Sequence, residues 1–199
     1  MNQVMTEHQL LCEDCLSLDT PHLTKNRSAV IYNDFMKEVL ALYKYRGKET
    51  LAEVFSYLLK LTYDAYFEKI DILTYIPLHP SRLVERGFNQ AEQLAIQLHV
   101  LIGVPVFPIM NRVKDTTKQS KTTSKSERKK QLDKAFVVDE EYSQLIKDKD
   151  ILIVDDIYTT GSTLEEAAKI LREEGAHQVY SLTLARAIFS RSFTNTLRS

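Results

Sequence analysis

Two adjacent carboxylates, Asp155 and Asp156, follow a short, continuously apolar run at residues 151–154. Such a β-branched run is typical of a strand buried in a parallel sheet, and ligands bind beyond the carboxyl ends of such strands. Carboxylates repel phosphate but suit the hydroxyls of a ribose, or a divalent cation bound to them. The acids therefore indicate one half of a sugar-phosphate site.

The other half of that site is a small, hydroxyl-rich turn directly after the acids, which leads into a stretch with helical periodicity. Backbone N–H groups and hydroxyls at a helix N-terminus suit a phosphate. The acids and the turn together predict a ribose 5-phosphate site. The turn consists of Thr159, Thr160, Gly161, Ser162 and Thr163.

A second apolar run, residues 71–77, reads as a buried strand, and the polar stretch 78–88 after it is predicted to be a loop. Arg82, Arg86 and Gly87 lie in this loop, where guanidinium groups could clamp a diphosphate. A surface loop with solvated arginines would look the same in isolation. The neighbouring ribose 5-phosphate site favours the diphosphate interpretation.

A basic segment separates these two regions. Residues 112–134 contain nine Lys or Arg and three acids, a net charge of +6, whereas the rest of the chain carries −7 and the whole chain −1. Two interpretations stay open: a lid whose cations, such as Lys118, meet a diphosphate, or a contact for the nucleic-acid backbone. The segment lacks interleaved aromatic residues, which argues against base stacking. The nucleic-acid candidates are Lys125, Arg128, Lys129 and Lys130.

Near the start of the chain, Cys12 and Cys15 have the Cys-x-x-Cys spacing of a zinc site. Structural zinc takes four ligands, so the pair alone is a half-site. His8 and His22 could complete a Cys2His2 set, although their spacing differs from that of common fingers. We expect instead an incomplete site in a truncated N-terminal segment, without tightly held zinc.

The elements that must position these groups alternate between strand and helix. The chain has 199 residues, 44% hydrophobic and 27% charged, enough for one sizeable core. Predicted helices cover residues 33–47, 50–67, 89–103, 139–146 and 162–174, and further strands cover 104–107, 135–138 and 179–185. The pattern predicts an α/β fold with a mostly parallel sheet.

The sequence shows no segment for membrane insertion or secretion. No apolar run approaches the roughly 20 residues of a membrane span, and no signal peptide is visible. We therefore expect a cytoplasmic protein without membrane insertion.

Residues 151–163 resemble the phosphoribosyl pyrophosphate (PRPP) binding motif of type I phosphoribosyltransferases. A receiver-like or hydrolase-like fold could also end a strand in two acids, but the full order of acids, threonines, glycine and serine is more specific. The Arg-Gly-Phe-Asn-Gln sequence at 86–90 indicates a smaller group of proteins. It resembles the ComF family of competence-associated phosphoribosyltransferase-like proteins. Residues 43–47, the basic segment and the cysteine pair agree with that family.

The resemblance implies a type I phosphoribosyltransferase fold with a small helical hood at 33–70. It implies a zinc-segment remnant at 1–30 and a phosphoribosyltransferase-like domain at 31–189, and the residues 190–199 themselves indicate a flexible tail. It also implies PRPP with Mg²⁺ as ligand, held by Asp155 and Asp156, and an accessory role in DNA uptake beside a helicase, with PRPP or a DNA end in the site. The alternative is an active phosphoribosyltransferase of nucleotide salvage. The residues indicate neither a general base nor an acceptor pocket, so enzymatic activity stays open.

Overall fold

The computed structural model describes residues 21–45, 50–114 and 135–187. Its centre is a four-stranded parallel sheet made of β1 (Lys25–Ile31), β2 (Ile72–Tyr75), β5 (Asp150–Tyr158) and β6 (Gln178–Arg186). The spatial order of these strands is β1-β6-β5-β2. Separately, β3 (Met110–Arg112) pairs antiparallel with β4 (Phe136–Val138). The strand predicted at 104–107 is a single parallel bridge from Val106 to Leu73 on β2.

Five α-helices accompany the strands in the part of the chain that the structure describes. They are α1 (Asp34–Tyr45), α2 (Leu51–Tyr66), α3 (Pro80–Arg86), α4 (Gln90–Ile102) and α5 (Ser162–Glu173). The predicted helix at 139–146 is wrong in extent, because only a 3₁₀ turn, Glu140–Tyr142, forms there. Asn33 and Asn89 cap α1 and α4 as predicted: their side-chain oxygens accept from the N–H groups of Met36 at 2.9 Å and Ala91 at 3.1 Å.

The alternating side chains of β5 belong to two separate cores. Leu152 and Val154 pack in the core shared with α1, α2 and α4, whereas Ile151 and Ile153 pack in the core shared with α5 and β4. The strand is therefore buried on both faces, as its apolar run predicts. The two helices predicted as a hood, α1 and α2, pack in the first core.

Strand β1 was not predicted, because its sequence has no apolar period. The reason is that its polar residues pair with polar residues of β6. The Asn26 amide donates to the Ser181 hydroxyl at 2.8 Å, and the hydroxyls of Ser28 and Thr183 are 2.6 Å apart. The sheet therefore begins before residue 31, and the predicted domain boundary falls inside this strand.

Residues 78–88 are not a loop throughout, and that prediction is wrong. Pro80 occupies the first turn of α3, where its missing N–H costs nothing, and Gly87 ends the helix with φ +83°. Helix α1 faces the core with Met36 and Leu40, whereas Phe35 is 70% exposed.

The residues before β1 are tied to α5. The Glu165 carboxylate accepts from the backbone N–H groups of His22 at 2.6 Å and Leu23 at 3.2 Å, and it lies 2.9 Å from Nδ1 of His22. Glu165 lies near the start of α5, so the entry to β1 is fixed against that helix. Within the described ranges, no helix is both long and apolar enough to cross a membrane.

Candidate functional site

A cleft of about 210 Å³ opens at the carboxyl ends of β2 and β5. Its wall carries both predicted acids, Asp155 and Asp156, and one residue of the predicted phosphate turn, Thr163. Four basic residues lie on the same wall: Lys44, Arg82, Arg86 and Arg112. The structure thus brings the predicted ribose acids and the two predicted diphosphate arginines to one site.

The two acids lie within β5 rather than after it, because the strand continues to Tyr158. The Asp156 carboxylate forms an ion pair with the Lys44 ammonium group, and each side chain is 16% exposed. A side-chain oxygen of Asp155 accepts from the Asp156 backbone N–H at 2.8 Å. The central strand therefore holds both carboxylates at fixed positions.

The surroundings of Asp155 favour its protonated form. Burial and, next, repulsion from Asp156 raise the pKa of Asp155 from 3.8 to about 7. The hydrogen bond from the Asp156 N–H and the charges of Lys44 and Arg112 act in the opposite direction but do not cancel this rise. A bound cation or hydroxyl donors would favour the ionised form.

The predicted phosphate turn connects β5 to α5. Gly161 precedes the helix with φ +75°, and a Cβ there would lie only 2.3 Å from the Tyr158 hydroxyl. The Thr160 and Ser162 hydroxyls are 3.0 Å apart. Thr163 lines the cleft itself, whereas the cleft wall does not include Thr159, Thr160, Gly161 or Ser162. A glycine is required here by backbone conformation and by the close approach of the phenol.

The two predicted arginines lie on α3. Arg82 Nη1 donates to Glu85 at 2.5 Å, and Arg86 Nη1 donates to the side-chain oxygen of Gln90 at 3.0 Å. Gly87 lies outside the cleft wall and serves as the C-cap of α3. The short helix therefore presents both guanidinium groups along one side of the cleft.

Several wall residues were absent from the predicted site, among them Lys44, Gln90 and Arg112. Lys44 comes from α1 and Gln90 from α4, so only tertiary packing brings them to β5. Arg112, predicted as part of the lid, lies at the end of β3, where its guanidinium sits 5.4 Å from the centre of the Phe136 ring. No local sequence pattern could have predicted that Lys44 and Gln90 line this cleft, although Gln90 belongs to the Arg-Gly-Phe-Asn-Gln sequence.

Several predicted residues lie outside the described ranges, so their roles stay predictions. They are Lys118, the nucleic-acid candidates Lys125, Arg128, Lys129 and Lys130, and the zinc candidates His8, Cys12 and Cys15. His22, the other zinc candidate, lies within them and contacts Glu165.

Comparison with known proteins identifies the family. Residues 84–193, more than half of the chain, match the family described as the phosphoribosyl transferase domain. The chain is 37% identical over 184 residues to Competence protein ComFC of Bacillus subtilis, covering 89% of this chain and 72% of that protein. It belongs to the ComF family. This ComF-family chain is also 32% identical over 186 residues to ComFC of Streptococcus pneumoniae, covering 93% and 79%.

Membership in the ComF family confirms the predicted type I phosphoribosyltransferase fold, with its parallel sheet flanked by helices. Among solved structures, the glutamine PRPP amidotransferase from B. subtilis is 17% identical with a TM-score of 0.48. The similarity covers 71% of this chain and 30% of that chain.

Proposed function

We propose that this ComF-family protein binds PRPP together with Mg²⁺ and acts as an accessory protein of DNA uptake in natural competence. The observation that carries the proposal is the meeting of Asp155 and Asp156 with Arg82 and Arg86 in one cleft, beside the turn that opens α5. Acids for a diol, a helix start for a phosphate and guanidinium groups for a diphosphate are the parts that PRPP requires.

Each group of the ligand has a complementary part of the cleft. Asp155 and Asp156 would accept from the ribose hydroxyls, and residues 159–163 would hold the 5-phosphate. Arg82 and Arg86 would contact the diphosphate, helped by Arg112, which also lines the cleft. The described residues thus support binding and charge neutralisation.

Mg²⁺ fits this site for two reasons. Carboxylates are the hard oxygen ligands that this ion takes, usually with water and substrate phosphates. Burial and, next, the charge of Asp156 raise the pKa of Asp155, and a bound cation would stabilise its ionised form. Asp155 and Asp156 would hold the ion directly or through water. When bound, it offsets the charge of the diphosphate.

The competence role is supported by the relatives, two of which are named Competence protein ComFC and align over most of both chains. These names favour DNA uptake over nucleotide salvage for a site that both functions could use. The proposal includes a cytoplasmic location, a contact with single-stranded DNA through the basic segment and a helicase of the uptake machinery as partner.

The ligand proposal is tested by calorimetric titration of PRPP with and without Mg²⁺. We expect binding that requires Mg²⁺ and that Asp155→Asn with Asp156→Asn weakens at least tenfold, about 1.4 kcal/mol. Asp64→Asn, which changes a carboxylate on α2 outside the cleft wall, is the matched control and should bind like the wild type. Equal affinity of the double variant, or no binding by the wild type, would contradict the proposal.

The cellular role needs a separate measurement. A deletion strain should lose transformation, and the wild-type gene should restore it. The double variant should restore it poorly if PRPP binding serves DNA uptake. Normal transformation in the deletion strain would contradict the competence role even if PRPP binds.

A further inference from the structure

We propose that the side-chain amide of Gln90 donates a hydrogen bond to a diphosphate oxygen of the ligand in this cleft. The inference rests on the proposed function, because it names a further contact for the same ligand. Gln90 is the first residue of α4, is 2% exposed and belongs to the cleft wall. Its amide was not among the predicted site residues.

The orientation of this amide is determined by Arg86. Arg86 Nη1 donates to the side-chain oxygen of Gln90 at 3.0 Å. A guanidinium group has donors only, so the amide oxygen must face Arg86 and the amide nitrogen must face away from it. Rotating the amide by 180° would place two donors against each other. Gln90 therefore presents an N–H group, not an acceptor, at its other side.

That nitrogen is buried and has no hydrogen-bond partner among the described residues. Buried polar groups are nearly always satisfied, so an unsatisfied donor costs stability. The backbone of Gln90 is also held in place. The Tyr43 hydroxyl contacts its carbonyl oxygen at 3.3 Å, and the preceding Asn89 amide donates to the carbonyl of Ile76 at 3.0 Å. Gln90 is thus anchored through its backbone at the start of α4, at the wall of the cleft.

The surrounding charges indicate which ligand atom this donor meets. Gln90 directly contacts Arg86 and shares the wall with Arg82 and Lys44. A ligand group that lies beside these cations is an anionic oxygen, which accepts hydrogen bonds from an amide as well. In PRPP the group that belongs beside Arg86 is the diphosphate. Gln90 would then act with Arg86 as a paired donor to the same group.

Thr74 provides a matched control. Its hydroxyl oxygen is likewise buried without a hydrogen-bond partner among the described residues, but Thr74 lies in β2 and outside the cleft wall. Replacing either residue by an apolar one removes a buried unsatisfied polar group, and replacing Gln90 also removes the side-chain oxygen that accepts from Arg86. Only the Gln90 substitution should also affect the ligand.

The experiment compares Gln90→Met, which keeps the length of the side chain but has no donor, with Thr74→Val and the wild type. Each protein is titrated with PRPP, inorganic pyrophosphate and ribose 5-phosphate in the presence of Mg²⁺, and its urea midpoint is measured without ligand. We expect Gln90→Met to unfold cooperatively in urea, to bind PRPP and pyrophosphate at least tenfold more weakly and to bind ribose 5-phosphate unchanged. Thr74→Val should bind all three like the wild type.

Unchanged PRPP and pyrophosphate affinity in Gln90→Met would overturn the inference and leave the proposed function intact. An equal loss for ribose 5-phosphate would also overturn it, because Gln90 would then shape the whole cleft. If the wild type binds pyrophosphate but not PRPP, the proposed function fails and the Gln90 contact is still decided by pyrophosphate. If the wild type binds neither, both fail.

Discussion

The ammonium group of Lys44, near the end of α1, is paired with the carboxylate of Asp156 on β5. The contact joins a helix of one core to the acid pair that lines the cleft. It also lies where two neighbouring carboxylates would otherwise repel each other with little screening by water. Lys44 is therefore both a structural partner of Asp156 and a part of the cleft wall.

Lys44→Met should lower the free energy of unfolding by about 1–3 kcal/mol, because it leaves the partly buried Asp156 carboxylate without its partner. Lys60→Met removes a lysine from a more exposed ion pair with Asp64 on α2 and should cost less than about 1 kcal/mol. Urea denaturation of both variants at neutral pH measures the difference. Equal costs would mean that the Lys44–Asp156 pair behaves as an ordinary surface pair.

The raised pKa of Asp155 predicts a pH dependence of stability. The unfolded chain releases this proton near pH 3.8, whereas the folded, ligand-free protein keeps it up to about pH 7. The folded state therefore binds more protons in this window, and its stability falls as the pH rises from about 4 to 7. Asp155→Asn lacks this loss and should be more stable than the wild type at pH 8 by at least about 1.4 kcal/mol, the equivalent of one pKa unit.

Urea denaturation of both proteins at several pH values, with a chelator present, tests this prediction. The stability difference between Asp155→Asn and the wild type should grow between pH 4 and 7 and then level off. A difference that is constant over this range would show that Asp155 ionises as it does in the unfolded chain.

Gly161 should tolerate a side chain less well than Gly103. Both have φ +75°, but a Cβ on Gly103 meets nothing within 4 Å, whereas one on Gly161 would lie 2.3 Å from the Tyr158 hydroxyl. Gly103→Ala should cost about 1 kcal/mol for the left-handed conformation, and Gly161→Ala about 3 kcal/mol. Thermal or urea unfolding compares the two, and equal losses would mean that Tyr158 moves aside without cost.

The basic segment should bind single-stranded DNA weakly and without sequence preference. If about four of its cations contact phosphates, log K should fall with log salt at a slope of roughly −3. Replacing Lys125, Arg128, Lys129 and Lys130 by Ala should flatten that slope and affect PRPP binding less. Fluorescence anisotropy with a labelled oligonucleotide across a salt series measures it. An unchanged slope would favour the lid interpretation.

Local sequence patterns predicted the elements that have a clear apolar pattern or a characteristic end residue. Examples are the apolar run of β5, the end of α4 at Gly103 and the turn before α5. Strand β1 was not predicted, because Asn26 and Ser28 join it to β6 by side-chain hydrogen bonds, which leave no hydrophobic pattern in the sequence.

The composition of the candidate site was predictable only in part. Asp155 and Thr163 are close in sequence, so one motif identifies them. Lys44 and Gln90 reach the cleft because α1 and α4 pack on the same face of the sheet, which no local pattern specifies. The orientation of the Gln90 amide depends in addition on a single contact with Arg86.

The hydrogen bonds from His22 and Leu23 to Glu165 limit how far the chain can be shortened from its N-terminus without losing contacts of the folded domain. A chain shortened to begin at residue 31 would lose β1, the edge strand that covers β6. One shortened to begin at residue 24 would keep that strand but leave the Glu165 carboxylate without the two backbone donors that it now has. The smallest unit that retains the described contacts of Glu165 with the entry segment therefore starts no later than His22, upstream of the predicted boundary at residue 31.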